Sequence, residues 1–221
     1  MTNVIQTSGA GSLVVQFATM LIDTIVLAVQ TNPINSDIKV LLTIENVVNY
    51  VESAFYVWML YNFKNIKNIT KNRYYDWAIT TPTMLFTYIM YLLMTKKRED
   101  KESTALLGLI QSEKYTLIVV FLLNWAMLLC GYLSETGKLK TKLATFLGFM
   151  PFIAMFYIIY TKYVTLNGSY ITFIYFVAVW ALYGIAALLN YKLKNTFYNV
   201  LDIFSKNFFG LFLAFMVVFR K

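Results

Sequence analysis

The stretch VLDIFSKNFFGLFLAF, residues 200–215, decides the class of this chain. It is an apolar, aromatic run that holds one aspartate, Asp202, and one lysine, Lys206. Extended to residue 219 it is long enough to cross a bilayer as a helix, which takes about 20 residues. In the full apolar segment, 195–219, Lys206 lies roughly 17–20 Å from either end at about 1.5 Å per residue, too deep for its ammonium to snorkel to the surface. A free charge at that depth is costly. Two readings meet the cost. In the plainer one the lysine pairs with a buried carboxylate. In the sharper one the amine is consumed as a Schiff base, a chemistry suited to a desolvated lysine. Both need negative charge close by, and Asp202 stands four residues earlier on the same helical face.

The rest of the chain agrees with a membrane setting. Of 221 residues, 59% are hydrophobic and only 14% charged, where a soluble chain would carry nearly twice the charge. Apolar segments of spanning length lie near 9–31, 38–62, 73–95, 114–134, 141–161, 170–190 and 195–219, separated by short polar breaks such as TNPINSD, KKREDKES and SETGKLK. The expectation is an all-α bundle of seven transmembrane helices, one domain over 1–221, with its termini on opposite sides of a lipid bilayer. Lysines and arginines divide almost evenly between the two faces, so they do not orient the bundle. The net charge of +8 is a cationic skin suited to anionic headgroups. Its spread over separate loops argues against nucleic acid. The polar, uncharged start MTNVIQTSGAGS differs from the basic start of a cleaved signal peptide. With no histidine and one cysteine, Cys130, most zinc sites, Cys/His nucleophiles and disulfide frameworks are excluded. No nucleophile–base pair or phosphate loop stands out, so no enzyme is expected and no metal site.

The third span, RYYDWAITTPTMLFTYIMYLL (73–93), supplies a second buried carboxylate. Arg73, Asp76, Thr80, Thr83 and Thr87 form one polar stripe at helical spacing. Arg73 is expected to neutralise Asp76 partly, and Thr80 to hydrogen-bond its carboxylate. Threonines also serve backbone loosened by a proline such as Pro82, which accounts for Thr80 and Thr81 but not for the Arg–Asp pair. Three further spans carry polar faces at i, i+4, i+7 and i+11: Ser12, Gln16, Thr19 and Asp23; Glu45, Asn49, Glu52 and Tyr56; Asn195, Asn199, Asp202 and Lys206. A hydrated route between helices 1, 2, 3 and 7 explains them, its acidic and amide groups favouring cations. Interhelical hydrogen bonds, with Glu45 and Glu52 as protonated acids, are the plainer reading.

R-Y-Y-D-W-x-x-T-T-P at 73–82, W-A-L-Y at 180–183 and L-D-x-x-x-K at 201–206 together resemble the microbial (type 1) rhodopsins, in order and over nearly the whole chain. The resemblance implies all-trans retinal on Lys206 as cofactor, Asp76 and Asp202 as counterions, and Arg73 on their extracellular side. Trp77 and Trp180 would sandwich the polyene. Thr81, Tyr183, Met127 and Gly131 would line the pocket, the last two at its ring end. It also implies an extracellular N-terminus and a cytoplasmic C-terminus. Outward proton pumps of the family usually place a carboxylate eleven residues after the acceptor; here that residue is Thr87. Asn124 stands where pumps often have aspartate in the fourth helix, and Gly184 replaces the proline of the sixth. The polar faces resemble the channel-forming members, closest to the group-I viral rhodopsins of algal giant viruses. By that resemblance Ser12, Glu52 and Asn199 form a central gate with Glu45 toward the cytoplasm, passing Na+, K+ and H+. Light would then move the Schiff-base proton to Asp76 and open the path, in a host-cell or viral membrane. A homo-oligomer is allowed. An outward proton pump and a sensory rhodopsin with a separate partner stay open as alternatives.

Overall fold

In the computed structural model, residues 4–30, 35–100, 105–165 and 169–219 are described, and parts of three of the polar breaks fall outside them. The described residues form seven helices and no strand: α1 (Val4–Ala28), α2 (Ser36–Tyr61), α3 (Ile69–Glu99), α4 (Leu106–Glu135), α5 (Thr141–Val164), α6 (Tyr170–Ala186) and α7 (Tyr191–Phe219). They run up and down, each packed on its chain neighbours, with α7 returning against α1 and α2. Five of them, α1, α3, α4, α5 and α7, are long and apolar enough to cross a membrane. α6 is apolar but shorter, and α2 carries Glu45, Asn46, Asn49, Glu52 and Ser53 on its buried face.

Helix ends depart from the apolar segments for a local reason. α3 and α7 each begin four residues before the expected start, because Asn68 and Asn190 cap them, accepting from Lys71 N and Leu193 N at 3.0 Å. α4 begins at Leu106, eight residues early, since a helix can leave the hydrocarbon layer without ending. α6 stops at Ala186 rather than 190, and its last carbonyls are closed by Leu188 N and Leu189 N. Gly137, at φ +73°, makes the tight turn into α5.

Two breaks in helical geometry position the interior. Pro82 in α3 has no N–H for the Ala78 carbonyl; the indole Nε1 of Trp125 from α4 donates to it instead, at 2.9 Å. In α7 a single π turn, Ile203–Asn207, holds Ser205, Lys206 and Asn207 all buried. The turn frees the Phe204 carbonyl, which accepts from the Tyr175 hydroxyl of α6 at 2.6 Å. The interior is divided in two. The main apolar core centres on α3 to α7, around Leu85, Tyr88, Phe156, Phe176, Trp180 and Leu213, with Ile38, Leu41, Leu42 and Val48 of α2 joining it. Between α1, α2, α3 and α7 the buried side chains are mostly polar.

Candidate functional site around Lys206

Lys206 is 2% exposed and stands among three carboxyl groups. Its Nζ donates to Asp76 Oδ2 at 2.7 Å and lies 3.3 Å from Glu52 Oε1 and 4.0 Å from Asp202 Oδ1. Asp202 is held from every side: Arg73 Nη1 at 3.0 Å, the Tyr56 hydroxyl at 2.6 Å and the Tyr183 hydroxyl at 2.7 Å. Arg73 is wholly buried and also donates to Asn199 Oδ1 and to the Tyr56 oxygen. Asn199 in turn ties α7 to α1, donating to Ile5 O at 3.0 Å and Ser8 Oγ at 2.8 Å. Two cations, Arg73 and Lys206, therefore face three carboxyls, Glu52, Asp76 and Asp202.

Two expectations from the sequence are corrected here. Arg73 pairs with Asp202 and not with Asp76: helical side chains lean toward their helix N-terminus, so the guanidinium reaches away from the turn that carries Asp76. Thr80 bonds the main-chain carbonyl of Asp76 at 3.0 Å, not its carboxylate, which is the usual fate of a mid-helix threonine. Three residues gain roles that spacing did not reveal. Glu52 was read from the sequence as a gate residue and lies beside Lys206. Tyr56 and Tyr183 donate to Asp202. Tyr56 was visible as the last member of a polar stripe, but its partner on another helix was not.

From Lys206 a largely apolar cavity runs between α3, α4, α5 and α6, with Trp77, Thr81, Met127, Gly131, Trp180 and Tyr183 in its lining. Met84, Phe149, Phe152, Tyr74 and Tyr198 also line it. Trp77 is fixed edge-on between Tyr183 and Tyr198, with ring centroids at 5.5 and 5.1 Å. Asn124, fully buried, donates to Thr81 at 2.8 Å. Gly131 makes room for Tyr74, whose hydroxyl would lie 2.2 Å from a Cβ there.

The other expected gate residues are spread along the polar faces. Ser12 accepts from Gln16 at 3.1 Å, and no hydrogen bond joins it to Glu52 or Asn199. Glu45 accepts from the Thr87 hydroxyl, so a carboxyl from α2 meets the position eleven residues after Asp76.

The family model for bacteriorhodopsin-like proteins matches residues 8–219. The chain belongs to this family. It is thus a multi-pass integral membrane protein of a family whose members bind retinal and transport ions. Among solved structures, viral rhodopsin OLPVRII superposes at a TM-score of 0.83 with 27% identity, covering 96% of each chain. The blue-light-absorbing proteorhodopsin from Med12 gives 0.73 at 18% identity, over 96% of this rhodopsin and 95% of that one. Xanthorhodopsin, described as a light-driven ion pump with dual chromophore, gives 0.75 at 14% identity, over 96% and 92%. The last two likenesses concern the fold alone. No curated protein matches the chain by sequence.

Proposed function

We propose that this rhodopsin is a light-gated cation channel, passing Na+, K+ and H+, that carries all-trans retinal on Lys206. One observation carries the channel reading: apart from Ile5, the buried face of α1 consists of Gly9, Ser12, Gln16, Thr19 and Asp23. A retinal pocket needs no polar groups on α1, and burying them in a membrane is costly, so a polar path that uses them supports the reading.

The residues present fit the chromophore. The cavity is a slot walled by Trp77 and Trp180, and Lys206 supplies the only amine in its described lining. Bound there, retinal supplies light absorption and a light-driven change of shape beside Nζ. The protein does the rest. Asp76 Oδ2, at 2.7 Å, is placed to take the proton held at Nζ. Asp202 is held in place by Arg73, Tyr56 and Tyr183. Three carboxyls against two cations leave one negative charge in excess, which a proton shared among the carboxyls balances in the dark. When Nζ loses its charge, Glu52 loses its partner at 3.3 Å. Glu52 thus couples the lysine to the polar faces of α1 and α2. In the dark the path is shut at its N-terminal end, the extracellular one in this reading, by Ile5, Tyr56, Met59 and Ile69 and by the Arg73–Asn199 bond.

Voltage clamp of illuminated cells tests this. A photocurrent that reverses near a cation equilibrium potential is expected, and Glu52→Gln and Asn199→Ala should change its size or reversal. A current outward at every voltage would sink the channel in favour of a pump; no current from coloured protein would favour a sensor. The pump is the second reading because Glu45, bonded to Thr87, supplies a carboxyl where pumps keep a proton donor.

A further inference from the structure

Toward the C-terminal end of the bundle, α1, α2 and α7 share a second polar cluster, apart from the groups at Lys206. Asp23 is wholly buried, and its Oδ2 accepts from Asn49 Nδ2 at 3.2 Å. Asn49 Oδ1 accepts from Asn207 Nδ2 at 3.3 Å. One turn before Asn49, Asn46 donates its Nδ2 to Thr24 Oγ1 at 3.2 Å. Gly210 opens the space: a Cβ there would lie 2.9 Å from Asp23 Oδ2 and 3.3 Å from Asn49 Nδ2.

What the cluster lacks is all of one kind. Asp23 Oδ1, Asn46 Oδ1 and Asn207 Oδ1 are buried oxygens with no hydrogen-bond donor, while the nitrogens of Asn46, Asn49 and Asn207 are engaged. Among the described residues Asp23 forms no ion pair, and Lys206 is committed to its own three carboxyls. A buried carboxylate and unmet buried acceptors are both costly. A proton on Asp23 would serve one of these oxygens and leave the other two. A cation seated among them would serve all three, because carboxylate and amide oxygens can replace its hydration shell.

We infer that Asp23, Asn46 and Asn207 form a binding site for a small alkali cation between α1, α2 and α7. One carboxylate among neutral amides balances one positive charge. A calcium site would recruit more oxygen ligands, commonly several carboxylates. Among the described residues no group of three or more His, Cys, Asp or Glu side chains could hold a metal ion. Asp23 belongs to the polar α1 face of the proposed path, but the site binds in the dark and does not depend on whether that path conducts.

Thermal unfolding of the full-length protein in lipid nanodiscs, kept dark and followed by far-ultraviolet circular dichroism, tests this. NaCl replaces N-methyl-D-glucamine chloride at constant ionic strength, so screening is unchanged. The apparent Tm should rise with Na+, by about 5–10 °C at a hundredfold excess over Kd. Asp23→Asn keeps the side-chain shape and removes the charge; Gly210→Ala pushes a methyl group at Asp23 Oδ2. Each should abolish the Na+ dependence, and if the first variant fails to fold, Gly210→Ala alone decides. A wild type indifferent to Na+, or a dependence that the variants keep, overturns the site. Because no current is measured, that failure leaves the channel reading untouched, and a failed photocurrent leaves this result standing.

Discussion

The Arg73–Asp202 pair offers the sharpest test of how the interior is held. Both side chains are wholly buried, with Nη1 and Oδ2 at 3.0 Å. At an effective dielectric constant of about 20 that contact is worth roughly 5.5 kcal/mol before desolvation. Removing one partner strands the other charge in the bundle, at a cost of about 3–5 kcal/mol. Arg73→Gln and Asp202→Asn should therefore each lower Tm by about 6–20 °C, at about 2–4 °C per kcal/mol for a chain of this size. The double variant has no stranded member of the pair, and an asparagine at 202 still accepts from the Tyr56 and Tyr183 hydroxyls that now meet Asp202. It should be at least about 2 kcal/mol more stable than the two single losses summed. Thermal unfolding of all four proteins in the same lipid, with and without added retinal, completes the cycle. Additivity within about 0.5 kcal/mol would refute the pairing of Arg73 with Asp202.

Two further substitutions probe the flanks of the site. Glu45→Gln removes the carboxyl that Thr87 meets; if Glu45 returns the proton after light, recovery of the dark absorbance after a flash slows at least about a hundredfold. An unchanged recovery rate would discard the pump-like second reading. Gly131→Ala places a methyl group 2.2 Å from the Tyr74 hydroxyl, so that ring must retreat by more than 1 Å to reach ordinary contact at about 3.4 Å. Tyr74 packs edge-on against Trp77 at 5.1 Å. The overpacking should cost about 1–3 kcal/mol and shift the absorption band, and a variant with wild-type colour and Tm would show that the cavity wall is soft.

The sequence alone determined the class of fold, because a bilayer leaves a long apolar segment little choice but a helix, and seven such segments form a bundle. It also pointed to Lys206, Asp76 and Asp202, since an ionisable residue amid apolar neighbours stands out without any knowledge of packing. The polar faces of spans one, two, three and seven were legible too, because helical periodicity assigns residues to a face. Which face meets which was not. The partnership of Glu52 with Lys206 joins residues 154 positions apart on different helices, and that of Tyr56 with Asp202 joins residues 146 apart. Spacing constrains neighbours within one helix and says nothing of rotation between two. Helix ends escaped as well: hydropathy marks where a chain meets lipid, whereas caps such as Asn68 and Asn190 mark where hydrogen bonding begins. Only the tertiary structure decided that Arg73 reaches Asp202, that a π turn places Lys206 and Asn207 together in the interior, and that Lys206 answers to three carboxyls rather than two. Those outcomes depend on side-chain lean and helix register, which pairwise packing settles and sequence spacing leaves free.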